Sequence, residues 1–202
     1  MTVTKYVRGG SALVAGLAMM TMATGAAALQ VRVTVENLSP TNGTLLTPLW
    51  AAFHDGSFDV YDLGSPASSS LERLAEDGNT GPLTTDLAGA VAGSVQGTIG
   101  APLPPGGSSS MVFDLDPNAA ENRFFSYAAM VIPSNDAFVA NGNPSAHEIF
   151  DGGGNFLGAN ILLLGSDVLD AGTEVNDEIP ANTAAFGQSM ADTGVVEAGL
   201  IA

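Results

Sequence analysis

The sequence predicts an all-β protein, an antiparallel β-sandwich with one short helix and long acidic loops. Three observations favour this fold class. Several short segments alternate apolar and polar residues, turns rich in Gly, Pro and Asn separate them, and only one segment has clear helical spacing. No internal repeat of fixed period is visible, so one folded domain is expected.

The amino terminus has the residue order of a secretory signal peptide, which we predict to span residues 1–28. Lys5 and Arg8 precede an apolar run of small residues, 12–23, and alanines follow it. This run is shorter than the roughly 20 apolar residues that a membrane-spanning helix needs. Its removal would leave residues 29–202 as a secreted or periplasmic domain without an integral membrane span.

The charge of the chain restricts its partners. After signal removal, only Arg32, Arg73 and Arg123 oppose 21 carboxylates, and no lysine remains. Affinity for nucleic acid depends on Lys and Arg that displace counterions, so nucleic acid is not an expected partner. So many carboxylates attract divalent cations such as calcium. The alternative, that the charge only keeps an exported protein soluble, remains open.

Motifs for catalysis are weak. The absence of cysteine excludes disulfides, thiolate catalysis and cysteine-ligated zinc. His54 and His147 are isolated, and GSVQG from Gly93 has its serine one place too early for a nucleophile elbow. A carboxylate pair for glycan hydrolysis remains open, because 21 carboxylates guarantee that some pair has a suitable separation. We therefore expect the protein to bind rather than to catalyse a reaction.

The first part of the predicted domain contains strand-like segments. Residues 30–36 read QVRVTVE, and their alternation predicts a strand that is buried on one face. The apolar segment 45–55 carries Trp50 and Phe53, which suit a core. A short third segment, FDVYDLG at 58–64, alternates imperfectly and is a weaker strand candidate.

One short helix is predicted after these strands. Residues 71–78 read LERLAEDG and place apolar side chains at helical spacing, with Ser69 or Ser70 as a possible N-cap and Gly78 as a possible end. The stretch 81–107 is rich in Gly, Ala, Pro and Thr and predicts no further helix.

The second part of the domain alternates strands with polar loops. MVFDLD at 111–116 predicts a half-buried strand, and the continuously apolar segment 124–133 predicts a strand buried on both faces. A loop with many oxygen-bearing side chains follows at 134–144. Residues 147–165 predict a strand, a glycine turn and a longer strand, and 166–188 form an acidic loop.

Acidic and amide side chains gather in three of these segments. The groups are Asp114 and Asp116; Asn135, Asp136, Asn141 and Asn143; and Asp170, Glu174, Asp177 and Glu178. Calcium takes six to eight oxygen ligands, which loops at one end of a sandwich can supply together. Solvated loops rich in Asp and Asn are the alternative. The segment DGGGNFLGANIL from Asp151 lacks most ligands of an EF-hand and predicts a hairpin turn.

Three segments resemble the spondin amino-terminal domain, a family of animal extracellular-matrix proteins and exported bacterial proteins. They are ASSSLERLAEDG at 67–78, MVIPSNDAFV at 130–139 and DAGTEVNDE at 170–178, and their order and spacing cover nearly the whole predicted domain. The resemblance implies an antiparallel β-sandwich with calcium bound near one end. It also implies a role in adhesion and recognition, with an extracellular protein or glycan as the partner.

The resemblance further implies a set of metal ligands. Asp136 matches the family's aspartate in its loop and is the first choice of ligand. Asn141 stands near a position where animal members have a second aspartate, and this amide removes a charge. Asp114 is the counterpart of an acidic ligand, with Asp116 as the alternative. The metal site is therefore predicted to comprise Asp114, Asp136 and Asn141.

Two other features of the resemblance bear on function. Asp170 and Glu174 also match family positions, and whether they bind the metal is left open by the resemblance. The sequence also stops before the closing strand that family members usually have. A missing strand would leave an unpaired sheet edge, which invites pairing with another chain. A structural, self-associating matrix protein is therefore the alternative to a recognition module.

Overall fold

The structure is a computed structural model that describes residues 1–5, 28–177, 179–190 and 193–202. The apolar run of the predicted signal peptide and Glu178 lie outside the described residues. In the described part of the chain, ten strands form two antiparallel sheets, which confirms the all-β prediction. None of the helices found there is long and apolar enough to cross a membrane.

The strands and helices have the following bounds. The strands are β1 Thr2–Lys5, β2 Leu29–Glu36, β3 Leu45–Leu46, β4 Leu49–His54, β5 Val95–Ile99, β6 Ser108–Leu115, β7 Phe124–Ile132, β8 Ala137–Ala140, β9 Ala159–Asn160 and β10 Leu169–Asp170. The helices are α1 Ser69–Asp77 and α2 Gly81–Ala90.

The first sheet has the strand order β6-β2-β1-β9. Strand β2 pairs with β6 along its whole length, from Leu29 opposite Leu115 to Glu36 opposite Ser108. The valines of β2 at 31, 33 and 35 are buried, while the residues between them are not. This alternation confirms that β2 is buried on one face only, as its sequence predicts.

The second sheet has the order β10-β8-β7-β4-β5, with β3 paired to β7. All but the first residue of β7 are buried, which confirms a strand covered on both faces. One of its faces contributes Phe125 and Tyr127 to the core between the two sheets. The other face contributes Ala128 to a second core beneath α1 and α2. The helices therefore form a third layer on the outer face of this sheet.

The predicted helix is present, but its N-cap differs from the prediction. The side chain of Ser68, and not of Ser69 or Ser70, accepts a hydrogen bond from the Leu71 amide at 3.2 Å. Ser68 has the extended backbone that a capping residue needs, whereas the next two serines already belong to the helix. Gly78 ends the helix at φ 66°, as predicted.

Other element predictions were wrong. The stretch 81–107 contains a second helix, α2, as well as strand β5. Pro82 fits the first turn of α2, and the buried Leu83 and Leu87 lie one turn apart. The segment 58–64 forms bends and turns instead of a strand.

The predicted strand-turn-strand at 147–165 is mostly irregular. The glycine turn is present, because Asp151 Oδ1 accepts hydrogen bonds from the amides of Gly153 at 2.8 Å and Asn155 at 2.9 Å. Beyond this turn, β9 is only two residues long. The longer strand predicted there was therefore wrong.

Candidate functional site

Asp136 precedes β8 and is completely buried. Its Oδ2 accepts three hydrogen bonds, from the Thr173 amide at 2.8 Å, the Thr173 hydroxyl at 3.1 Å and the Glu174 amide at 3.1 Å. These bonds attach the start of β8 to the chain that follows β10. The other carboxylate oxygen, Oδ1, is buried and has no hydrogen-bond partner among the described residues.

Glu174 is the second buried carboxylate at this site, with 3% of its surface exposed. Its Oε1 accepts a hydrogen bond from the Gly194 amide at 2.8 Å. Its Oε2 is buried and has no hydrogen-bond partner in the described part of the chain. A Cβ atom on Gly194 would collide with the Glu174 carboxylate, so a larger residue at position 194 would require this carboxylate to move.

Asp170 lies next to these two residues. It is the last residue of β10 and stands opposite Ala137 in the register of β10 with β8. Its Oδ1 accepts a hydrogen bond from the Gly172 amide, and its Oδ2 accepts one from the Asn176 side chain, each at 2.6 Å. Asp136, Asp170 and Glu174 are hereafter called the carboxylate cluster.

The surroundings of Asp136 and Glu174 disfavour the negatively charged form of both carboxylates. Burial raises the pKa of Asp136, and the charge of Asp170 raises it further, although hydrogen bonds from Glu174 and Thr173 oppose this shift. Burial likewise raises the pKa of Glu174, against the hydrogen bond from Gly194, and the charge of Asp136 adds to the increase. A bound cation or proton would therefore relieve the cluster.

Glu76 on α1 extends this acidic region, and the sequence analysis did not identify it. Its carboxylate is almost completely buried, and burial raises its pKa to about 7, with the charge of Glu174 contributing. Arg73 lies one helical turn before Glu76 and forms an ion pair with it. Arg73 also forms an ion pair with Asp77, at 2.8 Å. Position 76 directly follows the buried positions 74 and 75. Its place next to two apolar helix residues is the sequence feature that could have indicated a buried glutamate.

Asn141 lies at the opposite end of β8 from Asp136. Five residues along an extended strand separate the two by about 16 Å. The Asn141 Oδ1 accepts a hydrogen bond from the Tyr127 amide at 2.9 Å, and its Nδ2 donates to the Ser126 hydroxyl at 3.0 Å. The same hydroxyl lies 2.8 Å from the His54 Nε2. Asn141 and His54 therefore belong to a buried polar network between β4, β7 and β8.

Asp114 lies on the first sheet, with its side chain exposed on the outer face of β6. It accepts a hydrogen bond from the Gln30 side chain at 3.0 Å. Asp116, the alternative, follows the end of β6 and accepts a hydrogen bond from the Asn118 amide at 2.9 Å. The structure therefore does not bring Asp114, Asp136 and Asn141 together. Asp136 instead lies beside Asp170 and Glu174.

No metal-binding group of three or more His, Cys, Asp or Glu side chains is found within the described ranges. The carboxylate cluster contains two buried carboxylates that influence each other electrostatically, those of Asp136 and Glu174. The third, Asp170, is held by bonds within its own loop. The site could therefore supply some of the oxygen ligands of a cation, and main-chain carbonyls or water would have to supply the others.

Comparison with known families agrees with the fold and covers the site. The Spondin_N family model matches residues 34–176, which is more than half of the chain and includes every member of the carboxylate cluster. A search of curated proteins finds no match. Since an antiparallel two-sheet fold and a match of this extent coincide, the chain belongs to the spondin amino-terminal domain family.

Proposed function

We propose that this domain is an exported, non-enzymatic recognition module that binds calcium at the carboxylate cluster and presents acidic loops to an extracellular protein or glycan. One observation carries the calcium proposal. Asp136 Oδ1 and Glu174 Oε2 are buried oxygens that accept no hydrogen bond from the described residues. Buried acceptors of this kind are rare unless an ion or water satisfies them.

The chemistry of the carboxylate cluster fits calcium. All of its side-chain donors are oxygens, which suit calcium or magnesium better than zinc or copper. Calcium tolerates irregular geometry and accepts main-chain carbonyls as ligands, whereas magnesium requires a near-ideal octahedron. The raised pKa values of Asp136 and Glu174 imply that protons compete with the cation for these oxygens.

Binding at this position would order one end of the domain. Asp136 immediately precedes β8, Asp170 ends β10, and Glu174 contacts the terminal segment through Gly194. A cation shared by Asp136 and Glu174 would hold the start of β8 and the chain that follows β10 together. The acidic loop 170–177 would then be presented in one conformation to a partner, at a lower entropic cost of binding.

Export and the partner class are also part of this proposal. The family is extracellular, and the first 28 residues have the order of a signal peptide. The charge of the predicted mature domain favours a cationic or neutral partner surface. Mass spectrometry of the exported product, with cleavage expected after Ala28, tests the first point.

Calcium titration followed by thermal unfolding tests the metal proposal. At a hundred times its dissociation constant, calcium should stabilise the domain by about 2.7 kcal/mol, which corresponds to a rise in Tm of about 5–10 °C. Asp136→Asn should abolish the response, whereas the exposed Asp114→Asn should retain it. Sodium chloride at matched ionic strength controls for screening. An unchanged Tm with millimolar calcium, or equal responses of the two variants, would refute the proposed site.

A further inference from the structure

Strand β1 occupies an internal position in the first sheet. It lies between β2 and β9, with Thr2 opposite Thr34 and Lys5 opposite Val31. Val3 is 2% exposed and packs in the core between the sheets. Hydrogen bonds in both directions between Met1 and Ile161 continue the pairing beyond β9, at 2.6 and 2.9 Å.

This strand consists entirely of residues that the sequence analysis assigns to the signal peptide. Cleavage after residue 28 would remove β1 and leave both of its neighbours. The β2 edge from Val31 to Thr34 and the short strand β9 would each lose their hydrogen-bonding partner. The core would also lose Val3. The result is a slot one strand wide that is lined by main-chain groups and by buried valines.

We propose that the exported domain takes up an extended segment of another polypeptide in this slot, antiparallel to β2 and in the register of β1. This inference rests on the export proposed above. An internal strand position with unpaired main-chain groups on both sides favours the addition of a strand over any other kind of ligand.

The residues around the slot define the chemistry of the incoming segment. It needs a small branched apolar side chain at the position of Val3, because that side chain enters the core between the sheets. Its neighbours must be polar, since Thr4 is exposed on the outer face. Acidic segments are disfavoured, because Glu36 places its negative charge near the end of the slot where Met1 lies.

Cysteine cross-linking tests this proposal. The chain contains no cysteine, so no native thiol competes with the introduced ones. The Thr34→Cys protein is exported, its amino terminus is determined by mass, and it is mixed with a peptide of residues 1–8 that carries Thr2→Cys. Thr2 and Thr34 are direct partners, at a spacing that permits a disulfide. A Thr4→Cys peptide is the register control, since Thr4 stands opposite Arg32. A Thr2→Cys peptide with Val3→Asp is the control for core insertion.

The expected result is a cross-link yield at least tenfold higher for the Thr2→Cys peptide than for either control. Hydrogen exchange at the amides of Val31 to Thr34 should slow when the unmodified peptide is added. Equal yields from all three peptides, or an exported protein that retains Thr2–Lys5, would overturn the proposal. Calcium-dependent melting of the same preparation without peptide does not depend on the slot, so the two proposals can fail separately.

Discussion

At the scale of residues, Asp136 connects the start of β8 to the chain that follows β10. Its Oδ2 accepts three hydrogen bonds from residues that are 37 and 38 positions away in the sequence. Its other carboxylate oxygen, Oδ1, is buried and accepts no hydrogen bond from any residue that the structure describes. Asp136 therefore combines a structural role, which needs no ligand, with the proposed binding role.

The structural role predicts a loss of stability without calcium. Asp136→Ala would leave two part-buried donors on Thr173 and the buried Glu174 amide without an acceptor, which should lower the free energy of unfolding by about 2–4 kcal/mol. Urea denaturation in a chelating buffer measures this. Asp114→Ala, on the exposed face of β6, should change the value by less than about 0.5 kcal/mol. Equal effects of the two substitutions would contradict the assigned role of Asp136.

Glu76 predicts an unusual dependence of stability on pH. Its pKa is raised from the ordinary value of 4.5 to about 7 in the folded domain, so the folded state binds the proton more tightly than the unfolded state does. The stabilisation is complete below about pH 4.5 and is lost as the pH rises through 7. Without calcium, the contribution of Glu76 should therefore decrease between pH 5 and about pH 8.

Thermal melts across this pH range measure the effect. Glu76→Gln should flatten the dependence, because glutamine does not titrate. The exposed Glu36→Gln should leave the dependence as it is in the unsubstituted domain. A steep fall that persists in Glu76→Gln would show that other groups cause it. Asp136 and Glu174, whose pKa values are shifted in the same direction, would then be the next candidates.

At the scale of elements, the cap of α1 can be tested separately from its packing. Ser68→Ala removes the side chain that accepts the Leu71 amide hydrogen bond and should destabilise the domain by about 1 kcal/mol. Ser69→Ala, at the first helical position, removes no capping hydrogen bond and should change stability by only a few tenths of a kcal/mol. Chemical denaturation measures the free energy of unfolding of both variants. A larger loss for Ser69→Ala than for Ser68→Ala would show that Ser68 is not the N-cap.

The same scale shows which elements could be predicted. Strands β2, β6 and β7 were recognisable because burial on one or both faces imposes a period or a continuous apolar run. Helix α2 was not recognisable, because it buries only Leu83 and Leu87 and its other residues are mostly small or polar. The segment 58–64 has a partial alternation, but it does not form a strand there.

The residues of the carboxylate cluster could be identified from the sequence, but their proximity could not. Asp136, Asp170 and Glu174 were all noted in the sequence, yet their proximity depends on the pairing of β10 with β8 and on the Thr173 hydrogen bonds. Nothing local in the sequence specifies these long-range contacts. Asn141 is close to Asp136 in sequence, but the strand between them separates their side chains. Proximity in the sequence therefore did not indicate which of these side chains lie together in the fold.

At the scale of the whole molecule, two of the three arginines of the predicted mature domain form ion pairs. Arg73 contacts Glu76 and Asp77, and Arg123 contacts Glu148 at 2.5 Å. The remaining carboxylates greatly outnumber these pairs. The net negative charge therefore disfavours anionic partners. A calcium ion bound at one end would reduce the negative charge there, and a partner could then bind at that end with less repulsion.

The second sheet also determines how cooperatively the domain unfolds. Successive residues of β7 enter different cores, since Tyr127 packs between the sheets and Ala128 packs beneath the helices. Neither core can melt while the other remains intact, because both depend on the same backbone ladder. We expect one heat-absorption peak with equal calorimetric and van't Hoff enthalpies, and two resolved peaks would show independent layers. The helical layer is thus thermodynamically coupled to the sandwich, so a substitution that destabilises either layer should destabilise the whole domain.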